Sequence, residues 1–148
     1  MYKRILVPVD GSPTSSRGLQ EAIQLAKLAG ARIKLLHVVD EISFVTSFEA
    51  SMGLSAEMLQ LLKDGGKQVL QEAATQVRVA GLEAETELVE SYAGRVSDLV
   101  IDKASEWGAE LIVVGTHGRR GVGRMLLGSD AEQILRQSPV PVLLVRAR

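Results

Sequence analysis

Four short segments of the chain are apolar almost throughout, not on alternate residues, and this restricts the fold more than any other feature. They are Ile5-Leu6-Val7, Ile33 to Val39 with Lys34 inside, Leu111 to Val114, and Val140 to Val145. A strand with one wet face alternates apolar and polar residues. A continuously apolar strand must be covered on both faces, which is the condition of a parallel sheet with helices on each side. A fifth segment, Glu83 to Glu90, alternates charge with small or apolar residues and predicts an edge strand.

Helical patterns separate these segments. Leu19, Ala22, Ile23, Ala26 and Ala29 share one helical face. Ser12-Pro13 supplies a hydroxyl cap and a first-turn proline, and Gly30 supplies a stop. Met58, Leu62, Gly66, Val69, Ala73, Val77 and Ala80 step by three or four along a second helix. Val96, Leu99, Val100, Ala104 and Trp107 point inward from a third. A short fourth helix begins near Ser129, carries Ile134 and Leu135, and ends at Gln137-Ser138-Pro139.

Strand and helix therefore alternate from end to end. With right-handed crossovers they give a doubly wound five-stranded parallel sheet of order 3-2-1-4-5 with helices on both faces. The 148 residues suit one domain, residues 1–148, with a single core. In such sheets a ligand lies beyond the carboxyl ends of the strands where the strand order reverses. That directs attention to the segments after Val9 and Val114, with the one after Val39 beside them. The long stretch from Asp40 to Ser55 holds both phenylalanines, Phe44 and Phe48, as core residues or as a lid.

The segment after the fourth strand carries the chemistry. It runs from Gly115 to Ser129 and holds five of the chain's 14 glycines. Glycines let consecutive backbone N–H groups face one concavity, and the helix that follows adds unpaired donors and the positive end of its dipole. Together these favour a phosphate. Two familiar phosphate loops do not fit. A Walker A loop would need lysine and Ser/Thr where the chain has Arg124 and Met125, and Gly121-Val122-Gly123 is misplaced for a dinucleotide fingerprint.

The spacing that fits is G-x2-G-x9-G-[ST], at Gly115, Gly118, Gly128 and Ser129. It resembles the ATP-binding signature of universal stress proteins. Ile5 to Ser12, Leu35 to Val39 and Pro139 to Val145 resemble that family's first, second and closing strands. The resemblance implies an adenine nucleotide alpha-hydrolase-like fold and a bound ATP, ADP or AMP, with Mg²⁺ held mainly by the phosphates. It places the backbone of Val38 at adenine and Pro8, Val9 and Asp10 along the nucleoside. Gly115, Thr116, His117, Gly118, Arg119, Arg120 and Gly121, with Gly128 and Ser129, would hold ribose and phosphates. It also implies a homodimer through the last strand, and an apolar Val142–Val145 at a sheet edge does need cover. Asp130 departs from the small apolar residue many members carry there. A carboxylate suits the helix dipole, yet it repels a bare triphosphate unless it helps to organise a metal ion.

Each of these residues has a plainer reading. Asp10 is equally suited to a turn, although its place at the end of the first strand favours a ligand. Ser12 is mainly a cap, and His37 is a hydrogen-bonded core residue. His117 lies in the loop with no carboxylate placed beside it. Arg119 is the arginine expected on phosphate, while others of Arg119, Arg120 and Arg124 are solvated. Gly65-Gly66 has no phosphate logic and marks a kink or close helix packing.

Composition limits the function classes. A formal net charge of −1 and 3% aromatics argue against nucleic-acid binding. Two histidines and no cysteine argue against a transition-metal site and are compatible with a reducing compartment. No signal peptide or roughly 20-residue apolar span is visible, so the expectation is a cytoplasmic protein without membrane attachment. The expected function is a nucleotide-dependent switch or stress regulator with no catalytic residue assigned. A slow ATPase or ATP-using transferase is the alternative. A response regulator would need an acidic cluster where Asp10 stands alone, and a flavin site lacks its usual aromatics.

Overall fold

The computed structural model describes residues 1–40, 56–91, 94–116 and 127–147. Five strands form one sheet: β1 (Arg4–Pro8), β2 (Arg32–Asp40), β3 (Ala84–Ser91), β4 (Leu111–Gly115) and β5 (Val142–Val145). Among the described residues the helices are α1 (Pro13–Ala29), α2 (Ala56–Val79), α3 (Val96–Trp107) and α4 (Ser129–Gln137). The strand order is β3-β2-β1-β4-β5 and every pairing is parallel. The expected topology is therefore the observed one. The last apolar run is shorter as a strand than as a sequence pattern. Val140 and Pro141 precede β5, and the Pro141 carbonyl accepts the Ile112 N–H.

Alternate residues of each strand feed two cores. Ile5, Val7, Ile33, Leu35 and Val113 pack under α1 and α2 with Leu19, Ile23, Leu70 and Val77. Leu6, Leu36, Ile112 and Val114 pack under α3 and α4 with Val100, Ala104 and Ile134. This double burial is what the unbroken apolar runs require. Leu135 points outward from α4, and in α3 Ser97 is buried while Leu99 is half-buried.

Local chemistry sets the ends of α1. The Ser12 hydroxyl accepts the Ser15 N–H at 3.2 Å, Pro13 follows it, and Gly30 closes the helix at φ +64°. Gly66 of α2 lies against the sheet: a Cβ there would meet the His37 ring at 2.6 Å and Leu88 at 2.8 Å. Gly65 faces open space. Of the two readings for this pair, close packing applies to Gly66.

Strand β3 lies at an edge and carries three glutamates, each paired with a cation. Glu85 pairs with Arg32, Glu90 with Lys63 of α2, and Glu87 with both Lys34 at 2.8 Å and Lys103 of α3 at 2.9 Å. Arg32 and Lys34 also approach the Trp107 ring, at 5.9 and 5.8 Å from its centre. Burial pushes the Glu87 carboxyl up, but the hydrogen bonds and charges of Lys34 and Lys103 outweigh it and hold the group below its ordinary range. The hydrogen bond to Glu87 chiefly raises Lys103. The lowered Glu87 value stabilises the fold above the unfolded carboxylate range, and this contribution is lost as pH falls through the folded value. The raised Lys103 value acts below the ordinary lysine range and is lost as pH rises through the folded value. In thermal melts, wild type should therefore exceed Glu87→Gln by a constant margin at neutral pH, and the margin should shrink as pH drops below about 4. A margin unchanged down to pH ~2 would contradict the pairing.

Candidate functional site

The sheet reverses its order between β1 and β4, and in sheets of this kind the ligand crevice lies outside the carboxyl ends of the strands at that point. The β1 side is a tight, internally bonded turn. Asp10 Oδ1 accepts the Ser12 N–H at 2.9 Å, making an Asx turn, with Gly11 at φ +82°. The Asp10 N–H donates to Ser15 Oγ at 3.1 Å. The turn role of Asp10 is thus present, and Ser12 is a cap as expected. The hydroxyls of Ser12 and Ser15 are both engaged within the turn. Pro8 and Val9 precede it, and Val38 lies half-buried on β2.

The β4 side is built differently. α1 crosses the end of β4 with almost no space between backbones. A Cβ on Gly115 would lie 2.8 Å from the Thr14 carbonyl group, and one on Gly18 would lie 3.4 Å from the Gly115 nitrogen. The need for glycine at 115 is therefore met in full by helix packing, a role its place in a phosphate-type spacing does not reveal. Thr116 follows. Its N–H continues the ladder to the Val145 carbonyl at 2.9 Å, and its carbonyl accepts the Gly128 N–H at 2.6 Å. That last bond fastens the start of α4 to the end of β4.

The α4 start has no side-chain cap bond among the described residues. Its cap residue, Gly128, has no side chain, and the first intrahelical bond runs from Glu132 to the Gly128 carbonyl. The N–H groups of Ser129, Asp130 and Ala131 precede that bond and have no intrahelical acceptor. Beside them, the Thr116 hydroxyl is buried and finds no hydrogen-bond partner among the described residues. A buried hydroxyl is costly to leave unbonded, and the hydroxyls of Ser91 and Ser97 are likewise without a partner among the described residues. Ser129 and Asp130 are exposed at the same end, and Asp130 and Glu132 place two carboxylates in the first turn.

These elements bring together Pro8, Val9, Asp10, Val38, Gly115, Thr116, Gly128, Ser129 and Asp130 at the carboxyl end of the sheet. His117, Gly118, Arg119, Arg120 and Gly121 lie outside the described residues, as do Phe44 and Phe48. His37 is the buried, bonded residue expected, with Nδ1 2.7 Å from the Val9 carbonyl. Sequence reasoning missed Gly18 and the exposure of the α4 start, because both depend on partners remote in the chain. Among the described residues, no group of three or more His, Asp or Glu is arranged to hold a metal ion. No helix among them is long and apolar enough to cross a membrane.

A five-stranded parallel sheet of this order with helices on both faces defines a class of small α/β domains. The family model described as the universal stress protein family matches residues 1–146, and the chain belongs to that family. The universal stress protein MJ0531 of Methanocaldococcus jannaschii is 34% identical, with 99% of this chain and 83% of that protein aligned. A solved universal stress family protein from Burkholderia pseudomallei superposes with a TM-score of 0.80 at 33% identity, covering 99% of this chain and 97% of that one. A second solved universal stress protein, in complex with cAMP, is 27% identical with a TM-score of 0.70, and 97% of each chain is covered.

The packing role of Gly115 has a direct test. Gly115→Ala should lower stability by about 1–3 kcal/mol through forced separation of α1 and β4. Gly65→Ala, which meets nothing, should not destabilise. Urea unfolding of both variants checks this, and equal midpoints would refute it.

Proposed function

We propose that the protein binds an adenine nucleotide at the carboxyl ends of β1, β2 and β4 and serves as a nucleotide-dependent regulator. The observation that supports this reading is the buried Thr116 hydroxyl, without a hydrogen-bond partner among the described residues, on the residue whose carbonyl accepts the N–H of the α4 cap Gly128. Helix N–H donors and a hydroxyl at one point suit an anionic phosphate oxygen, and the helix dipole adds to the attraction. The cAMP complex of a family relative supports an adenine nucleotide as the ligand class.

In this reading the Val38 backbone meets adenine, and Pro8, Val9 and Asp10 line the nucleoside. Gly115, Thr116, Gly128 and Ser129, with His117, Gly118, Arg119, Arg120 and Gly121, surround ribose and phosphates. Mg²⁺ travels with the phosphates. Asp130 opposes an uncompensated triphosphate, so the metal matters more for ATP than for AMP. The regulator works as a cytoplasmic homodimer joined along β5, whose Leu143 is partly exposed at the sheet edge.

Calorimetry of the purified protein with ATP, ADP and AMP, with and without magnesium, is expected to give saturable binding. Asp130→Asn should strengthen metal-free ATP binding by about 2–5-fold and leave AMP nearly unchanged. No heat at millimolar nucleotide, together with no nucleotide released on denaturing the protein, would end the proposal. For the dimer, Leu143→Lys should sediment as a monomer where the wild type sediments as a dimer. A wild-type monomer at high concentration would dismiss the β5 interface.

A further inference from the structure

The peptide unit joining Val9 to Asp10 is held from both sides. On one side its N–H donates to Ser15 Oγ at 3.1 Å. On the other its carbonyl oxygen lies 2.7 Å from His37 Nδ1. A carbonyl can only accept, so Nδ1 carries the proton in this contact. The Val9 N–H is also occupied, by the Leu36 carbonyl at 2.8 Å. Val9 lies one residue past the last paired residues of β1 and β2, Pro8 and Leu36, so the ladder alone does not fix this peptide plane. The His37 bond fixes its carbonyl side and the Ser15 bond its N–H side.

The ring itself is seated by α2. At Gly66 the helix backbone comes so close that an added Cβ would lie 2.6 Å from His37 Cδ2 and 3.0 Å from Nε2. A neighbouring glycine, Gly65, has nothing within 4 Å. Only one of the pair therefore serves the ring. Close to this contact, Lys63 of α2 pairs with Glu90 at the end of β3, which fixes the helix against the sheet. The plane of the Val9–Asp10 peptide sets the backbone angles on either side of it and hence where Asp10 projects.

We propose that His37, seated by Gly66, is a positioning residue for the nucleotide site. It orients the Val9–Asp10 peptide so that the turn faces the nucleoside. The inference rests on the nucleotide-binding reading and extends it to a residue buried behind the crevice.

Four variants test it, each measured for ATP affinity by calorimetry and for amide exchange at Asp10 without ligand. His37→Leu keeps bulk and removes the donor. It should weaken ATP about 10-fold and speed Asp10 exchange. His37→Asn returns an N–H near the Nδ1 position and should restore affinity to within about 3-fold of wild type, which bulk alone would not do. Gly66→Ala should displace the ring and weaken ATP as the Leu variant does, and Gly65→Ala should bind as wild type. Equal affinity for the Leu and Asn variants, or wild-type affinity in Gly66→Ala, would overturn the proposal. If the wild-type protein bound no adenine nucleotide, the reading of the site would fall. The exchange measurement would still decide the positioning: Asp10 exchange unchanged in His37→Leu would reject it.

Discussion

At the carboxyl end of this sheet α1 packs its backbone directly against the end of β4, through Gly18 and Gly115, and the placing of the β1 turn against β4 depends on it. The approach puts the Asp10–Ser15 turn beside Thr116 and the start of α4. A side chain at Gly115 would insert at least a methyl group where there is room for none, and at Gly18 it would fill the remaining gap. The two glycines lie 97 residues apart, so this contact closes a long loop and joins the first βα unit to the fourth strand.

The two sides of the crevice are complementary in what they leave unbonded. The α1 start is closed by its own serines, with Ser12 on the Ser15 N–H and Ser15 on the Asp10 N–H. A turn satisfied in this way offers shape more than donors. The α4 start has a glycine cap, and beside it the Thr116 hydroxyl has no partner among the described residues.

Much of the fold was legible in the sequence because its signals are local. Ser12-Pro13 and Gly30 bracket α1 through chemistry within one turn of each end. The unbroken runs around Leu6, Leu36 and Val113 announce double burial, since each residue reports its own environment. Even β3, with its weaker alternation, was recognisable, because its glutamates are edge charges paired across to Arg32, Lys34 and Lys63. What escaped the sequence was contact between distant backbones. The spacing Gly115, Gly118, Gly128 and Ser129 suggested phosphate at every member. In the structure Gly115 serves α1 packing, and the Gly128 N–H bonds to Thr116. A glycine in sequence says only that no side chain is wanted, not whether a ligand or a helix takes the space.

That ambiguity has a physical consequence for how such a site is held in shape. Where Asp10, Gly128 and Thr116 contribute through turns and main-chain bonds, their precision comes from whatever lies behind them. The Val9–Asp10 peptide is backed by His37 and, through it, by the α2 backbone at Gly66. The Thr116–Gly128 bond is backed by β5, because the Thr116 N–H is anchored on Val145. Changes at β5 or in α2 thus reach the crevice through one or two hydrogen bonds each.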